Sequence, residues 1–194
     1  MSQPKPNAPR RTLFAAALVG ALALPGAAHA KLEVGEQAPD VLLFEAGTGK
    51  GVRLSDRLGD GALTVIVFAS PTCQASVALD DDVAIAEQAL GARARVLRVH
   101  ASGDDERALL AGRASGAVAL TDGDRLLANV LGAERVPDAF VLDDEGRLVW
   151  KGTLRADLEG AGLIDVVDAL SAGRSPELPA PDNALRVCGI RARG

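Results

Sequence analysis

Apolar positions along this chain follow two alternating periods. Leu63 to Ala69 is continuously apolar and β-branched, the pattern of a central strand buried on both faces. Gln74 to Leu90 follows, placing Val77, Val83, Ile85, Ala89 and Leu90 on one broad helical face. Arg95 to His100 predicts a second strand and Asp104 to Arg113 a second helix. Val118 to Leu120 predicts a short strand, and Arg125 to Leu131 a brief helix that Gly132 closes. "AFVLD" and "RLVWK", within Ala139 to Lys151, flank Asp144-Glu145-Gly146, a hairpin in which glycine supplies positive φ. Asp157 to Ala172 predicts the last helix, with Leu158, Leu163, Ile164, Val167 and Leu170 toward a sheet and Gly173 as its stop. This alternation of strand and helix specifies an α/β domain.

Two segments depart from the alternation. Residues 31–61 form an N-terminal extension with a hairpin-like "LLFEAGTGKGVRLSD". Its Gly-Thr-Gly-Lys-Gly is not a phosphate loop. Phe44 stands five before Gly49 where glycine is needed, and Gly51 replaces the magnesium-binding Ser or Thr. A flexible turn accounts for it. From Arg174 onward, Pro176, Pro179 and Pro181 predict an extended tail.

The first thirty residues carry a basic start (Lys5, Arg10, Arg11), an apolar stretch from Leu13 to Leu24, and the close Ala28-His29-Ala30. That is the pattern of a secretory signal cut after Ala30. Its apolar core falls short of the roughly 18 residues a membrane span requires. The expected organisation is a cleaved signal peptide at 1–30, one domain at 31–173 and an extended tail at 174–194. Export to a periplasmic or extracellular space follows, with Arg10-Arg11 permitting the twin-arginine route.

Charge narrows the function classes. Three of the 21 basic residues and none of the 26 acids lie in the signal, so the remaining 164 residues carry a net charge of −8. Nucleic acid is therefore disfavoured as a partner. Nothing after residue 30 is long and apolar enough to be an integral membrane segment. No cofactor motif or metal cluster stands out. His100 reads as a polar strand end and Trp150 as a packing residue. Asp143-Asp144-Glu145 lacks the alternating ligand spacing of a calcium loop.

Both cysteines, Cys73 and Cys188, lie in the exported part, where disulfides persist and one internal pairing is available. Ser70 suits an N-cap and Pro71 the first helical position. Cys73 is then expected in the first turn, where free N–H groups and the helix dipole favour a thiolate. A small buried residue beneath the helix is the alternative. Charge works against activation: no basic residue lies between Arg57 and Arg93, while Asp80, Asp81 and Asp82 follow.

A strand ending at Ser70-Pro71-Thr72-Cys73, with "VPDAFVLDDEGRLVWKG" some sixty residues later, resembles the thioredoxin-like superfamily. More narrowly it resembles its redoxin group of peroxiredoxins and thiol-disulfide oxidoreductases. "GEQAPDVLLFEAGTGKGVRLSD" is similar to the redoxin N-terminal extension, and "NALRVCGIRARG" to the cysteine-bearing end of one redoxin subgroup. The resemblance spans about Val34 to Ala172. It implies a thioredoxin-like fold: a central mixed β-sheet flanked by helices, with that extension and an extended C-terminal tail.

The resemblance also implies that Val136-Pro137 is the cis-proline step facing the active-site helix. Val136, Pro137 and Arg135 would then form the substrate-binding loop, and Arg135 would supply positive charge to Cys73, unless it is a plain surface arginine. Cys73 would be the reactive thiol, with Ser70 and Thr72 shaping its site. Two departures matter. The Cys-x-x-Cys motif of thioredoxins retains only its second cysteine here. Of the peroxiredoxin pattern, Ser70 can stand for the threonine, while Ile66 occupies the position of the upstream proline, and Pro137 lies near that of the arginine.

The fifteen residues from Arg174 to Cys188, at about 3.1 Å per extended residue, reach roughly 45 Å and can cross the domain. A Cys73–Cys188 bridge is thus possible in length, either as a resolving pair or as a permanent staple. Pairing between chains and free thiols stay open. The expected partners are a peroxide or a protein thiol or disulfide, and an external thiol reductant. The alternative reading is a redox-inactive binding module with a purely structural disulfide.

Overall fold

The computed structural model describes residues 31–101, 119–154, 161–176 and 188–190. The expected signal at 1–30, the helix at 104–113 and most of the proline-bearing tail lie outside the described residues. A hairpin opens the fold: β1 (Leu42–Glu45) and β2 (Gly51–Arg53) pair antiparallel, with Gly49 at φ 69° in the connecting turn. β3 (Leu63–Phe68) runs parallel to β4 (Ala94–His100), and β4 parallel to β5 (Ala119–Thr121). β7 (Asp138–Leu142) and β8 (Leu148–Thr153) form a second hairpin, with β7 antiparallel to β3. The result is one seven-stranded mixed sheet in the order β2-β1-β5-β4-β3-β7-β8. A separate two-stranded sheet joins β6 (Arg135–Val136) to β9 (Cys188–Gly189).

Helices cover both faces, because side chains of a central strand alternate between them. Ile66 and Phe68 of β3 enter one apolar layer with Leu127, Ala128 and Leu131 of α3 (Leu126–Leu131). Val65 and Val67 enter the opposite layer beneath α2 (Asp80–Leu90) and α4 (Ala161–Ser171). Phe68 and Phe140 meet edge to face, 5.7 Å between centroids, in the first layer. Gly132 (φ 76°) and Gly173 (φ 67°) end α3 and α4 in the left-handed region, as expected of helix-stopping glycines. The N-terminal segment is fastened to the body: Leu32 N–H donates to Val130 O, and Ala38 N–H to Gly146 O.

The expected single helix over Gln74–Leu90 is broken. α1 (Gln74–Ala78) and α2 meet at Leu79, where φ −93° and ψ −7° flatten the turn. The break shifts the buried face. Leu79, Val83, Ala86 and Leu90 are buried, whereas Val77 is 39 % and Ile85 58 % exposed. The apolar face expected through Val77, Ile85 and Ala89 is therefore corrected. A stripe at steps of four, three and four fits a helix starting afresh at Leu79. No helix among the described residues is long and apolar enough to cross a membrane.

Candidate functional site

β3 delivers the chain to the site. Beyond Phe68, the Ala69 N–H still donates to Val99 O, and residues 70–73 then turn away from the sheet. Cys73 N–H donates to Ser70 O at 3.2 Å, closing the turn. Ser70 N–H donates to the buried hydroxyl of Ser76 at 2.9 Å. These bonds change the expected helix start. The cap is not Ser70 but Cys73, at φ −94° and ψ 116°, and α1 begins at Gln74. A closed four-residue turn uses the Ser70 carbonyl before any helical ladder can. Ser70 and Thr72 stand together in this turn, their hydroxyls hydrogen-bonded at 3.0 Å.

Cys73 is 2 % exposed and belongs to the apolar layer that contains Phe68 and Val136. Its sulfur is covalently occupied. Cys73 and Cys188, 115 residues apart in sequence, form a disulfide with their Cα atoms 6.0 Å apart. Among the described residues neither cysteine is free.

The third side of the site is the Val136-Pro137 step, which is cis. β6 just before it pairs antiparallel with β9, in the register Arg135↔Gly189 and Val136↔Cys188. Ile190 N–H extends the contact, donating to Glu134 O at 2.9 Å. The structure thus brings Ser70, Thr72, Cys73, Val136, Pro137 and Cys188 into one junction. Arg135 is on the same strand with an exposed side chain. Among its neighbours, Glu134 is held below the usual carboxylate range, chiefly by its hydrogen bond and ion pair with Lys31 and also by the charge of Arg135.

Three residues of this region escape the sequence patterns. Asp138 is buried; its Oδ2 accepts the N–H groups of Glu134 (3.1 Å) and Arg135 (3.0 Å), and its Oδ1 the Thr153 hydroxyl (2.7 Å). A charged residue opening the apolar run "AFVL" is the signal that marks it. Ser76 closes the Ser70 turn. Arg98, buried on β4, donates to the carbonyl of Asp80 at 3.1 Å where α2 begins. His100 and Trp150 are buried at a strand end and in the α2–α4 layer, respectively.

No protein-family model and no curated protein matches the chain. Solved structures do. A hypothetical protein from Sinorhizobium meliloti 1021 is 26 % identical at TM-score 0.64, covering 83 % of this chain and 95 % of that one. The pneumococcal exposed lipoprotein thioredoxin from Streptococcus pneumoniae is 25 % identical at TM-score 0.53, covering 61 % and 93 %. Peroxidoxin BcpB from Mycobacterium tuberculosis shares the fold at 19 % identity and TM-score 0.57, covering 72 % and 98 %. A mixed sheet between helical layers, a cis-proline step opposite a cysteine turn and these likenesses agree. By its fold, the chain belongs to the thioredoxin-like superfamily.

Proposed function

We propose that this is an exported thiol redox protein that cycles between the Cys73–Cys188 disulfide and its dithiol. The observation that carries the reading is the position of the bridge. It joins the cysteine turn after β3 to a tail strand seated directly before the cis-proline. A staple meant only to hold the tail has no need of that place. The thioredoxin and peroxidoxin likenesses support the same chemistry.

In the oxidising half-cycle the Cys73 thiolate attacks a peroxide oxygen, giving a sulfenic acid and releasing hydroxide or alkoxide. Cys188 thiol then attacks the Cys73 sulfur; the new S–S bond forms and water leaves. A protein disulfide serves as alternative oxidant by exchange through a mixed disulfide. In the reducing half-cycle an external dithiol gives up two electrons and two protons, returns both cysteines to thiols, and is itself left as a disulfide. In this reading Ser70 and Thr72 shape the turn that carries the thiol, and the exposed Arg135, beside the buried Val136-Pro137 step, meets the substrate.

Stopped-flow oxidation of the reduced protein by hydrogen peroxide, against Cys73→Ser, tests the reading. Loss of a fast phase in the variant, with mass mapping that recovers the Cys73–Cys188 link afterwards, supports it. A thiol no faster than a small-molecule thiol, together with a bridge that reductants cannot open in the folded protein, leaves the structural staple of a binding module.

A further inference from the structure

We infer that Asp138 is the positioning residue of the cysteine pair. The inference rests on the redox reading of the site and names the group that seats its second cysteine. The peptide linking Glu134 to Arg135 is held from opposite sides. Its N–H, that of Arg135, donates to Asp138 Oδ2 at 3.0 Å, and its carbonyl, that of Glu134, accepts Ile190 N–H at 2.9 Å. A peptide group is planar, and in the trans form its N–H and C=O point opposite ways. Turning the N–H inward onto Asp138 therefore turns the carbonyl outward onto the tail.

The carboxylate is itself fixed. Oδ2 also accepts the Glu134 N–H at 3.1 Å, and Oδ1 accepts the Thr153 hydroxyl at 2.7 Å from β8. The side chain is buried at 7 % exposure, so water does not readily replace these partners. Among the described residues of the tail, β9 is two residues long, with Cys188 opposite Val136, and Cys188 and Ile190 pack against the first apolar layer. Asp138 thus orders the strand on which Cys188 docks, and raises the effective concentration of its thiol at Cys73 without touching either sulfur.

Equilibration of the protein in glutathione buffers reads this directly, because two glutathiones and the bridge exchange with two thiols and one glutathione disulfide. Asp138→Ala should lower the disulfide-to-dithiol ratio at least about tenfold, about 30 mV for a two-electron couple. Asp138→Asn keeps an acceptor oxygen for the two N–H groups and should stay within about threefold of wild type. Asp122→Ala removes another buried carboxylate, one that caps α3; it should lower the unfolding midpoint and leave the ratio unchanged. An unshifted Asp138→Ala ratio, or an equal shift in Asp122→Ala, overturns the inference. If Asp138→Ala does not fold, Thr153→Val must shift the ratio the same way, by about threefold, and no shift overturns it. A wild-type bridge that resists reduction would defeat the redox reading alone. Amide exchange at Ile190 in the oxidised protein then decides the positioning role: faster in Asp138→Ala (or Thr153→Val if needed) supports it, and an unchanged rate overturns it.

Discussion

Val136 and Cys188 stand directly opposite one another in the β6–β9 pair, and Cys188 is at the same time bonded through sulfur to Cys73. The tail cysteine is thus placed by two independent constraints, one of backbone hydrogen bonds and one covalent. They converge beside Pro137, so the state of the sulfur and the seating of the tail are coupled.

The covalent constraint should be visible as stability. Closing a loop between residues 115 apart stabilises the fold by up to about 4–5 kcal/mol on the loop-entropy estimate, with about 2–5 kcal/mol usual for a native bridge. Urea unfolding of the oxidised protein should therefore lie above that of Cys188→Ser by this margin. The reduced wild type should match the variant. Equal midpoints for the oxidised protein and Cys188→Ser would show that the bridge contributes nothing.

The restarted helix face makes a sharp contrast. Leu79 is 4 % and Ile85 58 % exposed. Leu79→Ala should cost about 2–5 kcal/mol, as truncation of a buried leucine does. Ile85→Ala should stay within about 0.5 kcal/mol of wild type. Denaturant midpoints decide it; similar losses at both positions would restore the unbroken helical face.

Asp122 gives a pH dependence with a defined sign. Burial raises its carboxyl above the ordinary 3.8, against the lowering effect of the α3 amides, of which the Ala128 N–H donates to Oδ2 at 2.8 Å. A folded carboxyl that binds its proton more tightly than the unfolded one loses stability as pH rises. The loss starts near the unfolded value and ends above the raised folded one. Asp122→Asn keeps the cap oxygen but cannot ionise. It should flatten this part of the stability–pH curve relative to wild type, followed by urea midpoints across the acidic range. A curve parallel to wild type would contradict the assignment.

Gly152 is required by a neighbour rather than by its own backbone. A Cβ there would lie 2.5 Å from Cζ2 of Trp150, which is buried in the α2–α4 layer. Gly152→Ala should cost about 1–3 kcal/mol through displacement of that ring. It should also shift the tryptophan fluorescence, since Trp150 is the chain's one tryptophan. An unchanged spectrum and midpoint would place the ring elsewhere.

Local chemistry made much of the fold legible. The strand at Leu63–Phe68, the hairpin ending in Leu148–Thr153, and the helix stops at Gly132 and Gly173 follow from apolar runs and glycine freedom, each confined to a few adjacent residues. The placement of Cys73 just beyond a buried strand was likewise readable. The helix start at Gln74 was not, because it depends on whether Ser70 O closes a turn or opens a helix, and Ser76 biases that choice toward the turn.

The amino-acid order alone determined the α/β architecture and the two sulfurs available to it, because periodicity and composition are properties of neighbouring residues. Tertiary structure decided that Cys188 sits against Val136, that Asp138 grips the strand behind it, and that Cys73 is covered. A two-residue strand has no period of its own to read. Its place is set by partners more than fifty residues away, whose hydrogen bonds exist only once the sheet has formed.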